Sequence, residues 1–329
     1  MTTTSSSPSP GAHAAPAGPR FARLQEHSLT LVFLALFTAL SLSVDYFLSV
    51  PNLIGLALSV SQIGMVACAM TFCLASRDFD LSIGSTVALS GVICAVVINS
   101  SDSIALGVAA ALAAGALIGM VNGLLIAKLR INALIATLAS MEIVRGLAFI
   151  TSGGQAVGIV RDDFFALGSE FFLGVPLPVW IMGLCVLVFG LLLNRTVYGR
   201  NTLAIGGNPE AARLAGIPVA RLRVTIFLVQ GLVAAAAGII LASRITSGQP
   251  NAAQGFELNV ISACVLGGVS LMGGRASIFG MLIGVLIMGT VQNAMNLLNI
   301  DAFYQYVVRG GILLIAVALD QLKQGRDQH

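Results

Sequence analysis

Charge is scarce in this sequence. Asp, Glu, Lys and Arg together make up 9% of the 329 residues, against about a quarter in a soluble domain. So few charges cannot cover a water-facing surface. With 57% hydrophobic residues and a mean hydropathy of +0.94, lipid is the main solvent. Lysine is nearly missing: only Lys128 and Lys323 occur, preceded by Ala127 and Leu322. A phosphate-binding P-loop needs Gly-Lys followed by Ser or Thr, so no Walker A motif exists here. Histidine is confined to His13, His27 and His329, near the chain ends. No nucleophile–base pair or metal set emerges, which argues against an enzyme and against a metal or cofactor. The five cysteines, Cys68, Cys73, Cys94, Cys185 and Cys264, sit in apolar runs without metal spacing and read as small core residues. The net charge of +3 does not point to nucleic acid, because the basic residues lie between apolar runs and not on one face.

Long apolar runs are what the chain does have. A membrane helix needs about 20 apolar residues. Ten candidates occur, at 28–48, 53–75, 81–99, 103–127, 131–151, 177–193, 224–242, 257–273, 277–298 and 303–320. The fold expected is an all-α polytopic membrane protein of about ten transmembrane helices. The fifth, eighth and tenth are candidates for broken or re-entrant segments, since they carry Glu142 and Arg145, many glycines, and Arg309 respectively. Residues 1–27 begin with a Ser/Thr/Pro/Gly/Ala-rich stretch that has nothing to bury and reads as a disordered cytoplasmic tail. No signal-peptide start precedes the first run, so it reads as a retained span. The membrane domain then covers 28–320, and 321–329 form a second cytoplasmic tail.

Basic residues orient the spans. With both termini cytoplasmic, thirteen Lys and Arg fall inside, Arg161 and Arg244 fall outside, and Arg145 and Arg309 fall within spans. The chain also echoes itself. GALIG (115–119) precedes IVRG (143–146), and GMLIG (280–284) precedes VVRG (307–310). The topology runs these copies in opposite directions, the arrangement of an inverted repeat. Their GxxxG spacing suits close helix packing within one subunit.

The longest inner loop, 194–223, holds a short charged segment, GGNPEAARLAGI (206–217). Asn208 suits an N-cap, Pro209 the first helical position, Glu210 the positive end of the dipole, and Gly216 a C-terminal stop. These predict two turns over 209–215, with Ala211, Leu214 and Ala215 as a small apolar face and Arg213 pointing elsewhere. Two turns are marginal alone in water. Such a helix either rests on the membrane boundary or docks on a cytoplasmic partner.

Within the spans, Glu142 and Arg145 are three apart and suit a local salt bridge. Asp80 suits the N-terminus of the third span. Arg309 sits eight residues from Asp301, near a helix end or paired across helices. For a neutral solute the pathway candidates are uncharged polar groups, Asn122, Gln292 and Asn293 among them, each also able to serve as an interhelical hydrogen bond.

Glu210-Ala211-Ala212, with Gly216 after three residues, resembles the EAA loop of ATP-binding-cassette (ABC) importer permeases. FDLSIGS (79–85), YGRNTLAIGGNPEAARLAGIPV (198–219) and QNAMNLLNI (292–300) are similar to the ribose, xylose and arabinose branch of that family. Arg77 and Asp78 replace a Gly pair common in relatives. The resemblance covers residues 28–325 and favours L-arabinose as solute. It implies a multi-pass permease in a bacterial inner membrane and a coupling helix that takes up Asn208, Pro209, Glu210, Ala211, Ala212, Arg213 and Gly216. It also implies a separate cytoplasmic ATPase, a periplasmic sugar-binding protein and a second copy of the chain. The rival reading is an ion-coupled secondary transporter of a small polar solute, which needs a deep acid such as Glu142.

Overall fold

A computed structural model describes residues 19–326, with side chains over 28–318 and at 321. The expected tails fall largely outside the described residues, although helix is already present from Pro19. The described chain is mostly helical. In order it comprises α1 (Pro19–Ser43), α2 (Val50–Ala75), α3 (Ile83–Ser101), α4 (Ile104–Ala127) and α5 (Ala133–Ser152). A connecting segment carries β1 (Val157–Gly158), α6 (Ala166–Ser169), β2 (Phe171–Phe172) and β3 (Val175–Pro176). Then follow α7 (Leu177–Arg195), α8 (Val197–Gly207), α9 (Pro209–Leu214), α10 (Val219–Ile245), β4 (Ser247–Gly248), α11 (Phe256–Leu266), α12 (Ile278–Leu297) and α13 (Ala302–Arg326). By length and composition, seven of these can cross a membrane: α2, α3, α4, α5, α7, α10 and α12. Ser28–Ser43, Phe256–Leu266 and Ala302–Ala318 are shorter apolar helices.

Burial sorts the helices into two shells. More than half of the apolar stretch of α2, α3, α10 and α12 is buried, against less than a third in α4, α5 and α7. Glycine decides how closely they approach. A Cβ on Gly115 or Gly119 of α4 would overlap the α10 backbone at Gly231 or Phe227, and one on Gly231 would overlap Gly115 in return. A Cβ on Gly280 or Gly284 of α12 would overlap the backbone of Gly267 or Ala263 at the end of α11. The two GxxxG copies therefore both make tight packing, against different neighbours.

Of the three candidates for a break, the fifth and tenth are continuous, as α5 and α13. The eighth is not, and its helix stops at Leu266, seven residues short of the expected end. Its second half, after Leu266, is turn and coil. The connection 246–255 that leads into the segment is also irregular and runs beside α3, with Gly248 packed on Gly91 and Val92, and Ala253 and the first-turn Glu257 against Gly84. Helix begins at Phe256, one residue before the expected start. At the far end of α11 the turn at Gly273 and Gly274 meets α8, and the Gly274 N–H donates to the Ala75 carbonyl at 2.9 Å. The opposite end of the bundle carries the β-pairs β1–β4 and β2–β3. There Arg161 bridges Asp102 and Asp163, both at 3.1 Å.

Candidate functional site

Local chemistry builds α9 as the sequence implies. The Asn208 side chain accepts from the N–H groups of Glu210 (3.0 Å) and Ala211 (2.9 Å). Pro209 occupies the first turn. Gly216 takes φ +84°, and the Ile217 N–H closes onto the Ala212 carbonyl at 3.0 Å, a Schellman-type stop. The helix ends at Leu214, one residue earlier than expected. Arg213 pairs with Glu210 at 2.5 Å on the exposed side.

A residue outside the expected small apolar face anchors α9 to the rest of the chain. Ala212 is the buried residue and joins the main core with Ile205 and Leu222. Ala211, Leu214 and Ala215 are exposed, Leu214 by 81%. The reason is the docking of α9 on α8 and the start of α10, which turns the 212 side inward. The three apolar residues and the ion pair are left together on a free surface.

Behind α9 the backbone is packed tightly. A Cβ on Gly206 would overlap the Ala75 carbonyl and the Gly274 N–H. The end of α8 thus touches both the end of α2 and the turn before α12. The adjoining segment 76–82 is largely buried and carries two acids. Asp78 forms an ion pair with Arg223 of α10 at 2.9 Å and accepts from the Ser76 hydroxyl at 3.3 Å. Burial nevertheless pushes its carboxyl up to about 6, with Arg223 and Ser76 opposing the rise. Asp80 accepts from the Ser82 N–H (2.9 Å) and hydroxyl (2.6 Å), capping the turn that opens α3. Burial pushes it up to about 6 as well. The Asn122 amide of α4 donates to the Ser82 hydroxyl at 3.0 Å.

Arg145 does not pair with Glu142, which is exposed. Its Nη1 donates instead to the carbonyls of Pro250 (2.8 Å) and Ala252 (2.7 Å) in the irregular segment 246–255 between α10 and α11. The long planar fork reaches backbone acceptors that have no helical partner, and those take precedence over a carboxylate free to stay outside. Arg309 lies over the Tyr306 ring at 5.3 Å, and its Nη1 faces Gly255 of the same segment. The structure thus brings Arg145 and Arg309 to one place, and leaves α9, Asp80 and Asn122 elsewhere.

Asn293 exchanges amide hydrogen bonds with Asn52 at 2.7 and 3.0 Å, tying α12 to α2. Gln292 is half-buried beside it. Sequence reasoning missed Glu257, in the first turn of α11, which lies within electrostatic reach of both Arg145 and Arg309. A signal for it exists: Phe79-Asp80-Leu81-Ser82 before α3 is repeated as Phe256-Glu257-Leu258-Asn259 at the start of α11.

Comparison with known proteins adds to this geometry. The family model described as branched-chain amino acid transport system / permease component matches residues 52–317. The L-arabinose transport system permease protein AraH of Escherichia coli is 58% identical over 299 residues, covering 91% of each chain. The L-arabinose ABC transporter permease protein AraH of Azospirillum brasilense is 54% identical over 97% of this chain and 95% of its own. The ribose import permease protein RbsC of Escherichia coli is 39% identical over 92% of this chain and 95% of its own. No solved structure matches.

Proposed function

The chain belongs to the branched-chain amino acid transport system / permease component family, and on that premise we propose that it is the multi-pass permease subunit of an ABC importer that carries L-arabinose across a bacterial inner membrane. The observation that carries the solute is the 58% identity to an L-arabinose permease across nine-tenths of both chains, against 39% to a ribose permease.

The subunit transports and does not itself hydrolyse ATP. Its ten apolar segments cross the bilayer with both termini in the cytoplasm, as the basic residues require. That places α8 and α9 inside and the β-pairs outside. Two copies enclose one pathway, and a periplasmic binding protein delivers the sugar to it. A cytoplasmic ATPase closes on ATP and presses on α9. The free face of Ala211, Leu214 and Ala215, beside the Glu210–Arg213 pair, supports this docking role: an apolar patch rimmed by charge suits a protein partner. Motion of α9 is passed through Ala212 and Gly206 to the ends of α2 and α11, because contacts of backbone on backbone leave no slack.

Uptake into proteoliposomes tests the proposal. Labelled L-arabinose should accumulate only when ATP, the ATPase subunit and the loaded binding protein are all supplied. Accumulation driven by a proton or sodium gradient without them would overturn it.

A further inference from the structure

The irregular connection 246–255 between α10 and α11 is out of place for a surface that touches lipid. It lies alongside α3 between the levels of Gly91 and Gly84, inside the length of a membrane-crossing helix. Non-helical backbone is tolerated at that depth only where it is buried in protein or lines a watery cavity. Yet Asn251 and Gln254 are exposed, as is Glu142 on α5 one turn from Arg145. Arg145, Glu257 and Arg309 are half-buried around the same backbone. Both arginines are remote from helix ends: Arg145 is about 10 Å along α5 from Ser152, and Arg309 a similar distance along α13 from Ala302. Charged and amide groups at such depth do not face hydrocarbon.

The repeat explains why they gather. Phe-Asp-Leu-Ser and Phe-Glu-Leu-Asn mark the starts of α3 and α11, and the two starts abut: Glu257 Oε2 would stand 2.5 Å from a Cβ on Gly84. Interrupted segments in corresponding places of two halves are where transporters hold their solute. One acid of the pair, Asp80, is spent on its own turn through Ser82. The other stands among two guanidinium groups and two exposed amides.

We infer that Arg145, Asn251, Gln254, Glu257 and Arg309 form a station for a neutral polyhydroxylated solute, open on this chain and completed across the pathway by the same face of a second copy. A sugar hydroxyl both donates and accepts. Guanidinium and amide N–H groups serve its oxygens, and the Glu257 carboxylate accepts from its hydrogens. Charged groups therefore carry the recognition that uncharged amides at Asn122 and Asn293 do not, since Asn122 is fully buried with its amide N–H on Ser82 and Asn293 is paired with Asn52. The inference rests on the permease reading and names where that permease touches its sugar.

Two measurements on the reconstituted importer test it. In the first, Gln254→Cys is treated with a water-soluble maleimide and with a lipid-soluble one, against the native chain as background. The station requires reaction with the water-soluble reagent, and slowing by the sugar-loaded binding protein with ATP. Reaction with the lipid-soluble reagent alone would place this face in hydrocarbon and overturn the inference. In the second, Glu257→Gln and Arg309→Gln should each lower L-arabinose uptake per ATP hydrolysed by about ten-fold, the factor for one hydrogen bond to a charged group. Unchanged uptake per ATP in both variants refutes the station. Should either variant fail to insert, the Gln254→Cys labelling still decides. Failure of the native assembly to use ATP would instead strike the permease reading itself.

Discussion

At the residue scale, the two acids of 76–82 differ from ordinary carboxylates because they are desolvated, and this makes stability depend on pH. Asp80 is raised from 3.8 to about 6. A group whose folded value is raised contributes its stability in full below the unfolded value, and loses it as pH rises through the folded one. Detergent-solubilised protein should therefore lose thermal stability between pH 4 and 6. The loss from Asp80 is bounded at ~3 kcal/mol. Asp80→Asn keeps an oxygen acceptor for Ser82 and should flatten that part of the profile; a profile of unchanged slope would refute the assignment. Asn208 offers a second check. Asn208→Ala removes one cap, costing about 1 kcal/mol, and hydrogen exchange at the amides of Glu210 and Ala211 should accelerate roughly five-fold. Capping was legible in the sequence because all its partners lie within three residues. The Glu142–Arg145 pairing was misread because spacing only permits a contact. It does not say what competes, and the carbonyls of Pro250 and Ala252 come from more than a hundred residues away.

At the element scale, α9 is a rigid knob and α4–α10 a close joint. Gly216 holds φ +84°, which proline, fixed near −65°, cannot adopt. Gly216→Pro should unseat the end of α9 and abolish ATP-driven uptake while the protein still inserts. Glu210→Lys should do the same by replacing the exposed pair with two like charges, with little effect on melting, since exposed pairs contribute little. Normal uptake by either variant would remove α9 from the coupling path. Gly115 and Gly146 make an internal comparison. A Cβ on Gly115 would overlap Gly231 of α10, whereas one on Gly146 meets nothing within 4 Å. Gly115→Ala should lower stability by about 1–3 kcal/mol. Gly146→Ala should leave it unchanged or raise it, helix propensity favouring alanine. Equal melting temperatures would refute the tight joint. The GxxxG spacing announced close packing but not its partner, which follows from how the helices cross.

At the scale of the whole molecule, the arrangement of basic residues predicts sidedness. In intact cells a membrane-impermeant thiol reagent should label Ser169→Cys and should reach Ala215→Cys only after permeabilisation; the reverse pattern would invert the topology. What the sequence determined alone is the class of solvent, the mostly helical apolar character of the chain and the local shape of α9. Each depends on composition or on neighbours within one or two helical turns, and such terms hold whatever the rest of the chain does. Tertiary structure decided three other things: that α11 is a short helix entered through irregular backbone at 246–255, that Ala212 and not Ala211 faces inward, and that Arg145, Glu257 and Arg309 converge. Each is a choice among distant partners for one backbone or one charge. In a medium without water, that choice is settled by whichever groups the packing of α3, α5, α11 and α13 brings within hydrogen-bonding reach.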